Sequence, residues 1–158
     1  MGGYDLIHRV LKIDRWVVDF LFAGEKYDIE GVLGCLYDAG APGSVMDEAE
    51  NLMRSCNYDC GFTYSRQYRF FNAKRHRAVV LIGPTSSGAE LLDSFTHELY
   101  HLTVTVASEQ DVKLRSEEPA YLCGDTAREL ADIIYELGCP HCNKATRRAR
   151  RIAKERER

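Results

Sequence analysis

The sequence predicts an α+β fold in a single domain of ordinary size. Apolar residues recur at helical spacing through most of the chain, whereas one central stretch alternates apolar and polar residues at period two. The chain has 158 residues, of which 45% are hydrophobic and 28% are charged, a balance typical of one domain with a buried core. Because no apolar stretch is long enough for a bilayer and no signal peptide is evident, we expect a cytoplasmic protein without a membrane segment.

Three helices are predicted in the N-terminal third of the chain. The first would run through residues 6–21, with a break near Asp14, on the helical spacing of Leu6, Ile7, Val10, Leu11, Trp16, Val17, Phe20 and Leu21. Residues 28–38 and 44–56 are predicted as the second and third helices, the third opened by Ser44 and Asp47 as a variant capping box. Together they would form a helical layer.

Two strands that form a hairpin are predicted next. After Gly61 the aromatic residues Phe62, Tyr64, Tyr68 and Phe70 alternate with polar ones, as in a half-buried strand. Arg66 interrupts that alternation and marks a bulge or a strand end. Residues 78–82 are a β-rich run that Gly83 and Pro84 close, so this run supplies the second strand.

Two further helices complete the predicted fold. Ser87 and Glu90 form a capping box at the start of the fourth helix, whose apolar stripe continues to Val106. The last helix is predicted to begin at Ser116, to tolerate a proline in its first turn and to end at Gly138.

The fourth helix carries the strongest chemical signal, the pentapeptide His97-Glu98-Leu99-Tyr100-His101. Histidines at i and i+4 project from one helical face and can bind one Zn²⁺, while the glutamate between them can act on the water of the metal. The next helix opens with Glu117 and Glu118, either of which could supply a third ligand. A helix with two chance histidines and a solvated glutamate is the alternative.

The sequence resembles the gluzincin group of zinc metallopeptidases, in which H-E-x-x-H is completed by a glutamate on a following helix. Residues 117–124, EEPAYLCG, resemble the E-E-x-A-Y-L-x-G stretch of small zincin-like proteins common in bacteriophages and mobile elements. The resemblance covers about residues 78–137. One departure is that an aspartate of the thermolysin-like pattern, which orients a zinc histidine, is replaced by Tyr121 or Leu122.

The resemblance implies a zincin-like architecture and a metallopeptidase activity, with an endopeptidase acting on a protein or peptide substrate. It implies zinc ligands at His97, His101 and Glu117, with Glu118 as the alternative third ligand, and Glu98 as the general base. The oxyanion donor is open among Tyr100, Tyr121 and His76, none of which is included in the predicted site.

A second function class remains open, namely a catalytically weak zincin-like domain that binds a protein or nucleic-acid partner and uses zinc structurally. Glu98 favours the enzyme, because a purely structural site has no use for a general base and usually closes all four positions.

The six cysteines are too few for a disulfide scaffold, and we expect reduced thiols. Cys56, Cys60, Cys139 and Cys142 could form a structural metal site, or could be ordinary thiols. Thiol–disulfide exchange at Cys139 and Cys142 is disfavoured because these residues follow a helix end. Cys35 and Cys123 are expected in the core.

Residues 143–158 form a basic C-terminal tail beyond a predicted metallopeptidase domain at 1–142. The tail carries +6, and subtracting this charge from the total of −3 leaves −9 for the domain. The tail is expected to be either a solvated helix or a contact to nucleic acid or an acidic partner. It lacks aromatic residues for base stacking, so any nucleic-acid binding would be non-specific.

Overall fold

The computed structural model describes residues 6–56, 58–68 and 76–139, which form a mixed α and β domain as the sequence predicts. In chain order the elements are β1 (Leu6–Ile13), β2 (Trp16–Ala23), α1 (Ile29–Asp38), α2 (Gly43–Ser55), β3 (Gly61–Arg66), β4 (His76–Ile82), α3 (Gly88–Glu109), α4 (Glu117–Glu129) and α5 (Ala131–Gly138). The basic tail, residues 143–158, lies outside the described residues.

The four strands form one sheet in the order β1-β2-β4-β3. β1 pairs antiparallel with β2, β2 parallel with β4, and β4 antiparallel with β3. The predicted hairpin partners β3 and β4 are therefore confirmed as an antiparallel pair, with Thr63 opposite Val80. β1 and β3 form the two edges of the sheet.

Helices cover both faces of the sheet, because each face is apolar. Side chains of one face pack with α3 and α5, in a cluster that includes Phe20, Val80 and Leu102. The other face packs with α1 and α2 through Leu21, Val32 and related residues. Helix α3, which carries the histidine pair, thus lies against the sheet next to β3 and β4.

The first predicted helix is wrong, because residues 6–13 and 16–23 form the hairpin β1–β2. The break predicted near Asp14 is real, but it is the hairpin turn, in which Asp14 has a positive φ of 50°. β2 is a central strand covered by helices on both faces, so nearly all of its side chains are buried. A strand buried on both faces is almost continuously apolar. Its sequence therefore lacks the alternation of apolar and polar residues that indicates a half-buried strand.

Helices α1 and α2 are confirmed, although the capping box predicted for α2 is wrong. α2 begins at Gly43, its N-cap is Pro42, and no side chain caps it. One hydrogen bond of the capping box predicted for α3 is confirmed. The Ser87 side chain accepts it from the backbone N–H of Glu90.

The last predicted helix is divided into two. α4 ends at Glu129 and α5 begins at Ala131, with the fully buried Leu130 between them. α5 ends at Gly138, as predicted. β3 ends at Arg66, which confirms the predicted strand end, whereas Phe70 lies outside the described residues. Within the described residues, no helix has both the length and the apolar character needed to span a membrane.

Candidate metal centre on helix α3

His97 and His101 lie on the exposed face of α3, one turn apart. Their Nε2 atoms are 3.1 Å apart, and the two rings meet edge to face with centroids 4.8 Å apart. The spacing of four residues places both side chains on the same side of the helix. The two imidazoles therefore lie on one face of the helix, as the sequence predicts, and both are exposed to solvent.

The separation of the two nitrogens fits a shared metal ion. With Zn–N bonds of about 2.05 Å, a nitrogen pair at this spacing subtends an angle of roughly 100° at the metal, close to the tetrahedral value. Neutral imidazole is also the nitrogen ligand that zinc most often takes in proteins. The histidine pair thus fits zinc in both chemistry and spacing.

Glu98 has a different environment from the two histidines, because the next residue along a helix points about 100° away. It is 6% exposed and faces the sheet. Its carboxylate Oε2 accepts a hydrogen bond of 2.6 Å from the hydroxyl of Thr63 on β3. Glutamate is rarely buried to this degree without a partner, and here the edge strand supplies one.

Gly61, at the start of β3, provides the space in which the Glu98 side chain lies. A Cβ atom at position 61 would be 2.6 Å from both Cγ and Oε1 of Glu98. Only glycine therefore permits this close approach of the strand to the carboxylate. Gly61 and Thr63 together fix the position of the Glu98 carboxylate against β3.

Glu117 and Glu118 lie in the first turn of α4, which packs against α3. Hydrogen bonding from Ser116, and from its own backbone N–H, lowers the pKa of the Glu118 carboxyl. Among the described residues, the ligand atoms of Glu117, His97 and His101 do not all lie within 4.8 Å of one another. Its ligation stays a prediction.

The residues considered for the oxyanion differ in accessibility. Tyr100 and Tyr121 are 62% and 67% exposed, on α3 and α4 respectively. His76 is buried, where its Nε2 lies 3.0 Å from Glu109 and its Nδ1 accepts a hydrogen bond from the backbone of Tyr68. His76 is thus a packing residue at the start of β4.

Cys56 and Cys60 do not match the reduced state that we expect from the sequence, whereas Cys35 and Cys123 are half-buried free thiols that do match it. Cys56 and Cys60 are joined by a disulfide that links the end of α2 to the start of β3. Disulfide sulfurs are not thiolate ligands, so this pair does not take part in a four-thiolate metal site in this state. Cys139 is described by the structure, whereas Cys142 lies outside the described residues.

No protein family model, curated protein or solved structure matches this chain. Its function is therefore inferred from the positions and chemistry of its own side chains.

Two groups of residues were missed by the sequence reasoning. Gly61 and Thr63 gave no local signal, since their role depends on the packing of β3 against α3. His8, Asp19 and Cys35 form a separate group whose ligand atoms lie close enough together to hold a metal ion. Two of these residues were placed on the incorrectly predicted first helix, and the third was assigned to the core.

Proposed function

We propose that the chain is a zinc-dependent metallopeptidase of zincin-like architecture, with its metal centre on the exposed face of α3. The observation that carries this proposal is the close approach of the His97 and His101 Nε2 atoms, 3.1 Å apart, on the helix that also carries the buried Glu98. His97, His101 and Glu117 are the proposed ligands. Glu98 is the proposed general base.

The burial of Glu98 supports a catalytic role more than a structural one. Placing a carboxylate in the protein interior costs free energy, which one hydroxyl hydrogen bond offsets only in part. A glutamate on this helix could reach solvent at many other positions, as the exposed Glu90 does. A cost of this kind is typical of a side chain that is retained for its chemistry.

In the proposed reaction, water attacks the carbonyl carbon of a peptide bond, and the bond from that carbon to nitrogen breaks. When bound, zinc supplies a Lewis acid that polarises a carbonyl oxygen and acidifies water. Glu98 accepts the proton of the attacking water at its carboxylate and then donates a proton to the departing amine. Thr63 and Gly61 keep that carboxylate in place throughout.

The test is hydrolysis of a peptide library, read by mass spectrometry, with zinc content measured on the same samples. We expect the full chain to cleave peptides and Glu98→Gln to lower the rate by about 100-fold or more at unchanged zinc content. Glu90→Gln is the matched control, since it makes the same chemical change on an exposed side chain of the same helix. It should cleave at the wild-type rate.

Two outcomes would overturn the peptidase proposal. One is a zinc-loaded wild-type chain that cleaves no peptide in the library. The other is a Glu98→Gln variant that cleaves as fast as the wild type. Either result, with zinc still bound, would favour the alternative of a binding domain that uses zinc structurally.

A further inference from the structure

Three side chains with different metal-binding groups meet on the face of the sheet opposite α3. His8 on β1, Asp19 on β2 and Cys35 on α1 each have a ligand atom within 4.8 Å of the other two. Because Asp19 is opposite Val10 in the antiparallel register, it lies on the same face of the hairpin as His8. Helix α1 covers that face and brings Cys35 to the pair.

The carboxylate of Asp19 is held through both of its oxygens. Its side chain is 6% exposed, and its Oδ2 accepts a hydrogen bond of 2.9 Å from the guanidinium of Arg77. Its Oδ1 lies 2.8 Å from Nε2 of His8, on the side of the cluster. Ligating carboxylates are commonly held by a hydrogen bond to one oxygen while the other binds the metal.

With Cys35 ionised, the cluster together with Arg77 would present a net charge of −1 to a bound cation. The Arg77 guanidinium balances the single charge of Asp19, and a metal-bound Cys35 would add a second negative charge as its thiolate.

We propose that His8, Asp19 and Cys35 form a second metal site, which takes a divalent cation that accepts sulfur, nitrogen and oxygen ligands. Zn²⁺ and Co²⁺ meet this requirement, whereas Mg²⁺ and Ca²⁺ bind oxygen ligands. The bound ion would connect the edge strand β1 to β2 and α1. The His8 side chain is 41% exposed, so water can reach this edge of the cluster.

The experiment uses Co²⁺ as the probe on the full chain, with absorption spectroscopy as the readout. A thiolate bound to Co²⁺ gives a charge-transfer band in the near ultraviolet, which nitrogen and oxygen ligands alone do not give. We expect this band in the wild type and its loss in Cys35→Ala. Cys123→Ala is the matched control, because Cys123 is another half-buried cysteine outside the disulfide, and it should keep the band.

Two other variants keep the proposal falsifiable if Cys35→Ala folds poorly. His8→Ala changes a partly exposed side chain and should weaken Co²⁺ binding at this site at least about tenfold. His101→Ala should keep the band, since it alters the α3 centre only. The proposal is overturned by a wild type without the band, by a folded Cys35→Ala that retains it, or by unchanged Co²⁺ affinity in His8→Ala. None of these results bears on the peptidase proposal.

Discussion

The hydroxyl of Thr63 donates a hydrogen bond of 2.6 Å to the carboxylate of Glu98, and so links the edge strand β3 to the helix of the histidine pair. The two residues are 35 positions apart in sequence. Strand and helix therefore position the proposed general base together. The hydrogen bond also leads to the first prediction.

Replacing Thr63 by valine removes the hydroxyl and keeps the side-chain shape. A hydrogen bond to a charged group is worth about 1.5–3 kcal/mol, so Thr63→Val should lower peptide hydrolysis roughly tenfold or more and leave zinc content unchanged. Thr63→Ser keeps the donor and should stay close to the wild-type rate. Equal hydrolysis rates for the valine and serine variants would show that the hydrogen bond does not position Glu98.

Gly61→Ala should displace Glu98, because the new Cβ would lie 2.6 Å from its Cγ. A shift of about 1 Å in a catalytic group can cost roughly 100-fold in rate, and we expect a loss of that order with both histidines still able to bind metal. Gly124→Ala is the control. A Cβ there meets nothing within 4 Å, and it should stabilise α4 by about 0.5–1 kcal/mol.

Two leucines of α3 that differ in exposure test how that helix packs. Leu102 is fully buried, and Leu102→Ala should lower the free energy of unfolding by about 2–5 kcal/mol through the cavity that it leaves. Leu92 is 55% exposed, so Leu92→Ala should change the same quantity by only about 0.5 kcal/mol. Urea unfolding measures both. Similar losses in the two variants would contradict the packing of α3 on the sheet.

The buried hydroxyl of Tyr27 should lower the free energy of unfolding in alkali. Burial, and then the Asp59 carboxylate, raise the pKa of Tyr27 from 10.0 to about 12. Between these two values the unfolded chain loses the phenolic proton and the folded chain keeps it, so the free energy of unfolding should fall as the pH rises from about 10 through about 12.

Tyr27→Phe should remove this part of the alkaline loss, as urea unfolding at a series of alkaline pH values would show. The Tyr27 hydroxyl has no hydrogen-bond partner within the described part of the chain, so the phenylalanine variant should also be as stable as the wild type near neutral pH. Tyr37→Phe, on a side chain 73% exposed, is the control and should keep the wild-type pH dependence.

The helices α1, α2 and α3 and the strand β3 could be predicted from the sequence, because each has a readable period. β4 is buried on both faces, as β2 is, but its short β-rich run is closed by Gly83 and Pro84 and so could be predicted as a strand. The hairpin β1–β2 could not, since the apolar residues of this segment also recur at helical spacing. A helix over residues 6–21 does not place His8 next to Asp19. Their closeness to each other and to Cys35 follows from the pairing of β1 with β2 and from the packing of α1 on that face.

The two histidines of the candidate site were predictable because four residues make about one helical turn. The environment of Glu98 was not, since Gly61 and Thr63 reach it through tertiary packing alone. Glu117 is predicted from the family resemblance and from its place at the start of α4. Its approach to the metal is part of the proposal.

The zinc content of the wild type and of His101→Ala, measured by elemental analysis on purified folded protein, tests most directly whether α3 carries a metal centre. The two proposed sites predict two zinc ions per chain in the wild type and one in His101→Ala, with the remaining ion lost when Cys35→Ala is added. A His101→Ala variant that holds as much zinc as the wild type would contradict the metal centre on α3.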